Sequence, residues 1–105
     1  MKILASIRLA EGADPRDIAP RIEEEIAGSW RLFASGVLRE AYATEDARRV
    51  IFVLEVEDRK SAEQALQSLP LIRLGVFSHE LIELRPFVNW SRLFSESAGK
   101  ATAVS

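Results

Sequence analysis

The sequence predicts an α+β fold of ferredoxin-like type: a βαββαβ chain whose four-stranded antiparallel sheet carries two helices on one face. Three observations carry that expectation. Four stretches, residues 3–9, 37–44, 50–56 and 76–84, have the apolar content and alternation of strands. Two intervening stretches repeat their apolar residues with helical period. The junction Leu69-Pro70-Leu71 stops the second helix ahead of the last strand, because proline lacks the amide hydrogen and crowds the preceding turn.

In the first strand Ile3, Ala5, Ile7 and Leu9 fall on one face, while Leu4, Ser6 and Arg8 point the other way. The loop Ala10-Glu11-Gly12-Ala13 breaks the alternation. Asp14 then offers an N-cap oxygen, Pro15 suits the first helical position, and Asp17 favours the positive end of the helix dipole. Ile18, Ile22, Ile26 and Phe33, with Trp30 beside them, make a stripe expected to face the core. Arg16, Glu23, Glu24 and Arg31 lie opposite. The run Glu23-Glu24-Glu25 reads as solvated helix surface. Pro20 falls within the first turn and a half, where it bends the helix start, and Gly36 provides the stop.

Residues 37–44 and 50–56 read as a hairpin joined by the polar loop Glu45-Asp46-Ala47-Arg48-Arg49. Val50, Phe52, Leu54 and Val56 share one face, and Ile51, Val53 and Glu55 the other. Asp58 or Ser61 caps the second helix, whose buried stripe is Ala62, Ala65, Leu66 and Leu69. The last strand alternates Ser78, Glu80, Ile82 and Leu84 against Phe77, His79, Leu81 and Glu83. A single domain is expected over residues 1–94, with a C-terminal arm from about residue 88 carrying Trp90 and Phe94. Residues 95–105, rich in Ser, Ala and Gly, read as a flexible tail.

A chain of 105 residues, 48% hydrophobic and 29% charged, supports one globular core. A net charge of −2 argues against nucleic acid as a partner. The absence of cysteine removes thiol catalysis and fits a reducing, cytoplasmic setting. The N-terminus lacks the apolar core of a signal peptide, and no apolar run approaches the roughly 20 residues that cross a bilayer, so no membrane association is expected.

The sheet face without helices poses the next question. Leu4, Leu38, Ile51, Val53 and Ile82 are expected there, exposed to water. At about 25 cal/mol per Å² the lost burial amounts to a few kcal/mol, comparable to the stability of a small domain. Such patches mark association. The expectation is a homodimer or higher homo-oligomer with sheets face to face and Trp90 and Phe94 reaching across. The alternative is a monomer whose own C-terminal segment covers the face.

If Ala43 pairs with Val50, Glu40 and Tyr42 join Ile51, Val53 and Glu55 on this face, with Arg8 from the first strand. Glu80 joins them from the last. A carboxylate desolvated there would gain the raised pKa of a general acid or base, and an arginine would anchor an anionic small-molecule ligand. Alternatively, Arg8 simply pairs with Glu40, Glu55 or Glu80 inside the dimer. His79, the one histidine, can serve acid–base chemistry or be a partly buried structural group. Arg48 and Arg49 read as hairpin-loop charges. The sequence holds no GxxxxGK[ST], GxGxxG, HExxH or GxSxG pattern. Cofactor-free chemistry or plain binding remains.

The run Gly36-Val37-Leu38-Arg39-Glu40-Ala41-Tyr42, the helix entering Leu69-Pro70-Leu71, and the closing Glu80-Leu81-Ile82-Glu83-Leu84-Arg85-Pro86-Phe87 resemble the muconolactone isomerase-like family of the dimeric α+β barrel superfamily. The similarity runs over roughly residues 2–94. It implies proton transfer within a small carboxylate-bearing lactone, without metal or organic cofactor. On that resemblance Glu40, Tyr42 and Glu80 are the catalytic candidates, and Arg8 and His79 the substrate-binding ones. Two other functions stay open: a non-catalytic ligand-binding or assembly module, and a cofactor-free monooxygenase of the same superfamily.

Overall fold

The computed structural model describes residues 1–94, so the expected tail at 95–105 lies outside the described residues. Four strands form it: β1 (Lys2–Leu9), β2 (Leu38–Ala43), β3 (Arg49–Glu55) and β4 (Phe77–Leu84). They make one antiparallel sheet in the order β2-β3-β1-β4. Helices α1 (Ile22–Ala34), α2 (Arg59–Gln67) and α3 (Pro70–Arg73) cover one face. The core joins Ile3, Ala5, Ile7, Phe52, Leu54 and Leu81 of the sheet to Ala62, Leu66, Leu69 and Ile72 of the helical layer. This is the expected helix-side face, in the expected architecture.

The first helix begins later than its sequence suggests. Asp14 does act as a cap, accepting the Arg16 N–H at 2.9 Å, but it caps a 3-10 turn, Pro15–Asp17. A second 3-10 turn, Ala19–Arg21, contains Pro20. A proline there cannot donate within a continuous α-helix and would clash one turn back, so α-geometry starts only at Ile22. At its other end Gly36, with φ of +86°, gives its N–H to Phe33 and lets Val37 reach back to Leu32, satisfying the last carbonyls.

The buried face of α1 also departs from expectation. Ile26, Trp30 and Phe33 are 56%, 65% and 49% exposed, with the two rings stacked obliquely at 5.3 Å. The face turned inward carries Glu25 and Gly28. Both meet the Leu69-Pro70-Leu71 junction. A Cβ on Gly28 would sit 2.8 Å from Leu69 Cδ2, so any other residue there would require the buried tip of Leu69 to shift. Glu25 is buried, not solvated, and its Oε1 accepts the Leu71 N–H at 2.8 Å. Pro70 not only ends α2 but opens α3 at its first position, where its fixed φ suits a helix and no hydrogen bond is lost. Leu69, Pro70 and Leu71 are all buried.

Burial pushes the Glu25 carboxyl up from its ordinary value of 4.5, against the opposing pull of the Leu71 N–H and of Arg73. A raised folded-state pKa stabilises the fold below about 4.5, and that contribution is lost as pH climbs through the raised value. Glu25→Gln keeps an acceptor for Leu71 and removes the buried charge. It is expected to be more stable than the natural chain at pH 7 in urea unfolding, the gap closing as pH falls toward 4.5. Glu25→Ala is expected to lose about 1–3 kcal/mol by leaving the Leu71 N–H unpaired. A gap that widens on acidification would refute this account.

The hairpin contains the remaining correction. Leu38 is opposite Leu54, but Glu40 is opposite Val53, so two residues of β2 span one step of β3. This bulge at Arg39 puts Leu38 into the core, 3% exposed, while Glu40 and Tyr42 stay on the open face. Ala43 pairs with Val50 as expected. The 87–94 segment is exposed throughout and forms a 3-10 turn over Val88–Leu93, with Phe87 and Trp90 edge to face at 5.4 Å. Among the described residues no helix is long and apolar enough to cross a membrane.

Candidate functional site

The strand register fixes what the open face displays. Residues directly opposite on neighbouring strands share a face, so three rows run across the sheet. The first is Glu40, Val53, Leu4, Ile82; the second Tyr42, Ile51, Ser6, Glu80; the third Arg49, Arg8, Ser78. Four of the five candidates therefore lie on one face: Arg8, Glu40, Tyr42 and Glu80.

They do not form one cluster. Tyr42 and Glu80 end the same row on opposite edges of the sheet, three strand spacings or about 14 Å apart along the ladder. At the β2 edge the Tyr42 hydroxyl donates to Glu40 Oε1 at 2.6 Å. That hydrogen bond, and then the carboxylate's charge, push the phenol's pKa above 10, so Tyr42 stays a proton donor at neutral pH. At the β1–β4 side, Ser6, Arg8, Arg49, Ser78, His79 and Glu80 line a cleft of about 260 Å³. Arg8 and Glu80 are thus brought together, and Glu40 with Tyr42 forms a second polar site at the far margin.

His79 borders that cleft, but its ring is engaged elsewhere. It pairs with Ile7 on the helix side, and its Nε2 lies 2.8 Å from Glu63 Oε2 of α2. Its ring is a structural link between β4 and α2, on the face away from Arg8 and Glu80. Glu40 and Glu80 are exposed in the single chain, so the expected desolvation of a carboxylate is not supplied by this chain's own residues.

The ion pairs among the described residues join the N-terminus to Glu55, Arg16 to Asp14, Arg59 to Glu83 and His79 to Glu63. Arg8 is in none of them, so no carboxylate among the described residues of its own chain neutralises it. Arg49, read from sequence as a loop charge, is the first residue of β3. Its Nη1 donates to the buried Ser6 Oγ at 2.8 Å. The signal was available: once Ala43 pairs with Val50, the alternation that places Ile51 and Val53 on the open face also places Arg49 there.

A larger cavity, about 620 Å³, opens under the hairpin beside Leu9, Ile18, Val50 and Phe77, and it too is bordered by Arg8 and Arg49. Asp46 and Arg48 of the hairpin loop line it as well, and its apolar wall belongs to the helix side of the sheet, so hollow and cleft lie on opposite faces and share only Arg8 and Arg49.

The chain matches the family described as muconolactone delta-isomerase over residues 2–89, and it belongs to that family. Among curated proteins none matches. A solved structure of muconolactone isomerase is similar with a TM-score of 0.65 and 20% identity, over 83% of this chain and 93% of that one. A 5-chloro-2-hydroxyhydroquinone dehydrochlorinase from Burkholderia phenoliruptrix AC1100, in complex with 2,5-dihydroxybenzoquinone, has a TM-score of 0.59 and 15% identity, over 81% and 94%. At these identities the likeness to solved structures is one of fold.

Proposed function

We propose that this member of the muconolactone delta-isomerase family is a cofactor-independent isomerase acting on a small anionic lactone or a related metabolite of aromatic degradation. The observation that carries the reading is the placing of Glu80 and the unpaired Arg8 in one cleft on the open sheet face. A carboxylate anchored on Arg8 would bring a neighbouring carbon to the Glu80 carboxylate. Glu80 takes the proton from that carbon, the electron pair shifts into the conjugated lactone, and the same carboxyl returns the proton at the far end of the system. The substrate and product then have one formula, and no oxidant is consumed. The two neighbours named above support the substrate class, since both names denote small oxygenated ring compounds.

The reading includes a homodimer or larger homo-oligomer. On the open face Ile82 is 45% exposed and Leu4 and Ile51 are half-buried, so these need cover, whereas Val53 is already buried within the chain. A second sheet laid on this face would also supply the desolvation that a carboxylate needs to work near neutral pH. The exposed aromatics of the 87–94 segment would add apolar surface to such a contact.

Proton NMR in D2O tests both parts on one preparation. An unsaturated lactone bearing a carboxylate should isomerise, its signals giving way to those of the isomer, and light scattering should give at least twice the chain mass. Oxygen uptake without isomerisation would replace this reading by the monooxygenase one. Saturable binding without either would leave a ligand-binding module.

A further inference from the structure

We propose that Arg8 and Arg49 form a paired guanidinium anchor that holds one carboxylate of a small organic acid, which makes Arg49 a second substrate-binding residue. The two are directly opposite on β1 and β3, on the same face. Like charges so placed repel, and neither arginine is in an ion pair among the described residues. Such a pair is kept at a cost to the fold unless an anion offsets it. Ser6, buried beneath them, fixes the Arg49 fork through one hydrogen bond and leaves its other N–H groups available. Ser78, opposite Arg8, adds a hydroxyl to the same cleft.

Charge sets the ligand. Two guanidinium groups face one carboxylate, Glu80, in this cleft. One added carboxylate neutralises it and leaves Glu80 free for proton transfer. A neutral ligand would leave the arginines repelling each other, and a dianion would crowd Glu80 with like charge. The cleft, about 260 Å³, takes a small acid, and a ring bearing a single carboxylate is the simplest ligand that meets this charge.

The inference rests on the open face being the functional face, but not on any reaction there. Titration calorimetry on the full chain, with benzoate as the probe and benzamide and phthalate as controls, therefore tests it without turnover. Benzoate should bind saturably and more weakly as salt is raised, while benzamide gives no saturable heat. Arg49→Gln and Arg8→Gln should each weaken benzoate at least tenfold, with Arg49→Lys in between because it keeps the charge and loses the fork. Circular dichroism should be the same for all of them. Unaltered benzoate affinity in Arg49→Gln, equal binding of benzamide, or no benzoate binding at all would overturn the anchor. Phthalate binding tenfold tighter than benzoate would overturn the single-carboxylate assignment. Isomerisation retained in Arg49→Gln would count against this anchor alone, and anion binding with no isomerisation would count against the isomerase reading alone.

Discussion

Replacing Glu80 by glutamine is expected to lower isomerase turnover by about 10²–10⁴-fold, the usual contribution of one positioned acid–base group. Glutamine keeps the size and a hydrogen-bonding oxygen but cannot take up a proton. The exposed position of Glu80 on β4, next to solvent and away from the core, means that the change should leave folding intact. Its effect should fall on kcat more than on KM, because Arg8 would still hold the substrate carboxylate. Glu40→Gln is the informative contrast. Glu40 lies at the other edge of the sheet, bonded to Tyr42, and on the cleft reading its loss should cost less than tenfold. Equal losses in the two variants would mean that the β2 margin serves the same reaction, which within one chain the sheet's width does not allow. Unchanged turnover in Glu80→Gln would remove the proposed proton carrier.

What the sequence disclosed about this site followed from one pairing. With Ala43 set against Val50, strand alternation alone assigned Glu40, Tyr42, Ile51 and Val53 to the open face, and all four are there. Two things defeated the same reasoning. Leu38 changed face because a bulge at Arg39 adds one residue, and a bulge without glycine leaves little trace in a single sequence. Arg49 escaped because the loop was drawn one residue too long. The first helix failed for a different reason. A count of apolar residues selects Ile26, Trp30 and Phe33 as the inward stripe, yet Leu32 packs against the core in their place and the helix's buried residues are a glycine and a glutamate. Neither gains from hydrophobic burial. Gly28 is there because Leu69 approaches so closely, and Glu25 because a buried backbone N–H needs an acceptor. Both are properties of the neighbour across the interface, which periodicity within one helix cannot report. The apolar stripe left outside is consistent with a larger assembly.

That interface gives the largest stability effect expected of this chain. Leu69→Ala removes a side chain that is 1% exposed and packed against α1, and is expected to cost about 2–5 kcal/mol. For a domain of this size the total is about 5–15 kcal/mol, so the variant should unfold on the order of 10–25 °C lower at a fixed protein concentration. Gly28→Ala should also destabilise. Alanine gains about 1 kcal/mol of helix propensity, but its methyl would fall 2.8 Å from Leu69 Cδ2, an overpacking worth about 1–3 kcal/mol. The decisive measurement is the double variant. With Leu69 truncated, the methyl of residue 28 enters the space that its loss opened, so Gly28→Ala should become neutral or stabilising. The cycle is expected to show a favourable coupling of about 0.5–3 kcal/mol, the range for residues in direct contact. Simple additivity in urea unfolding would mean that α1 does not depend on the Leu69-Pro70-Leu71 junction for its position. The junction would then be only a helix stop, and the close approach at Gly28 would carry no stability.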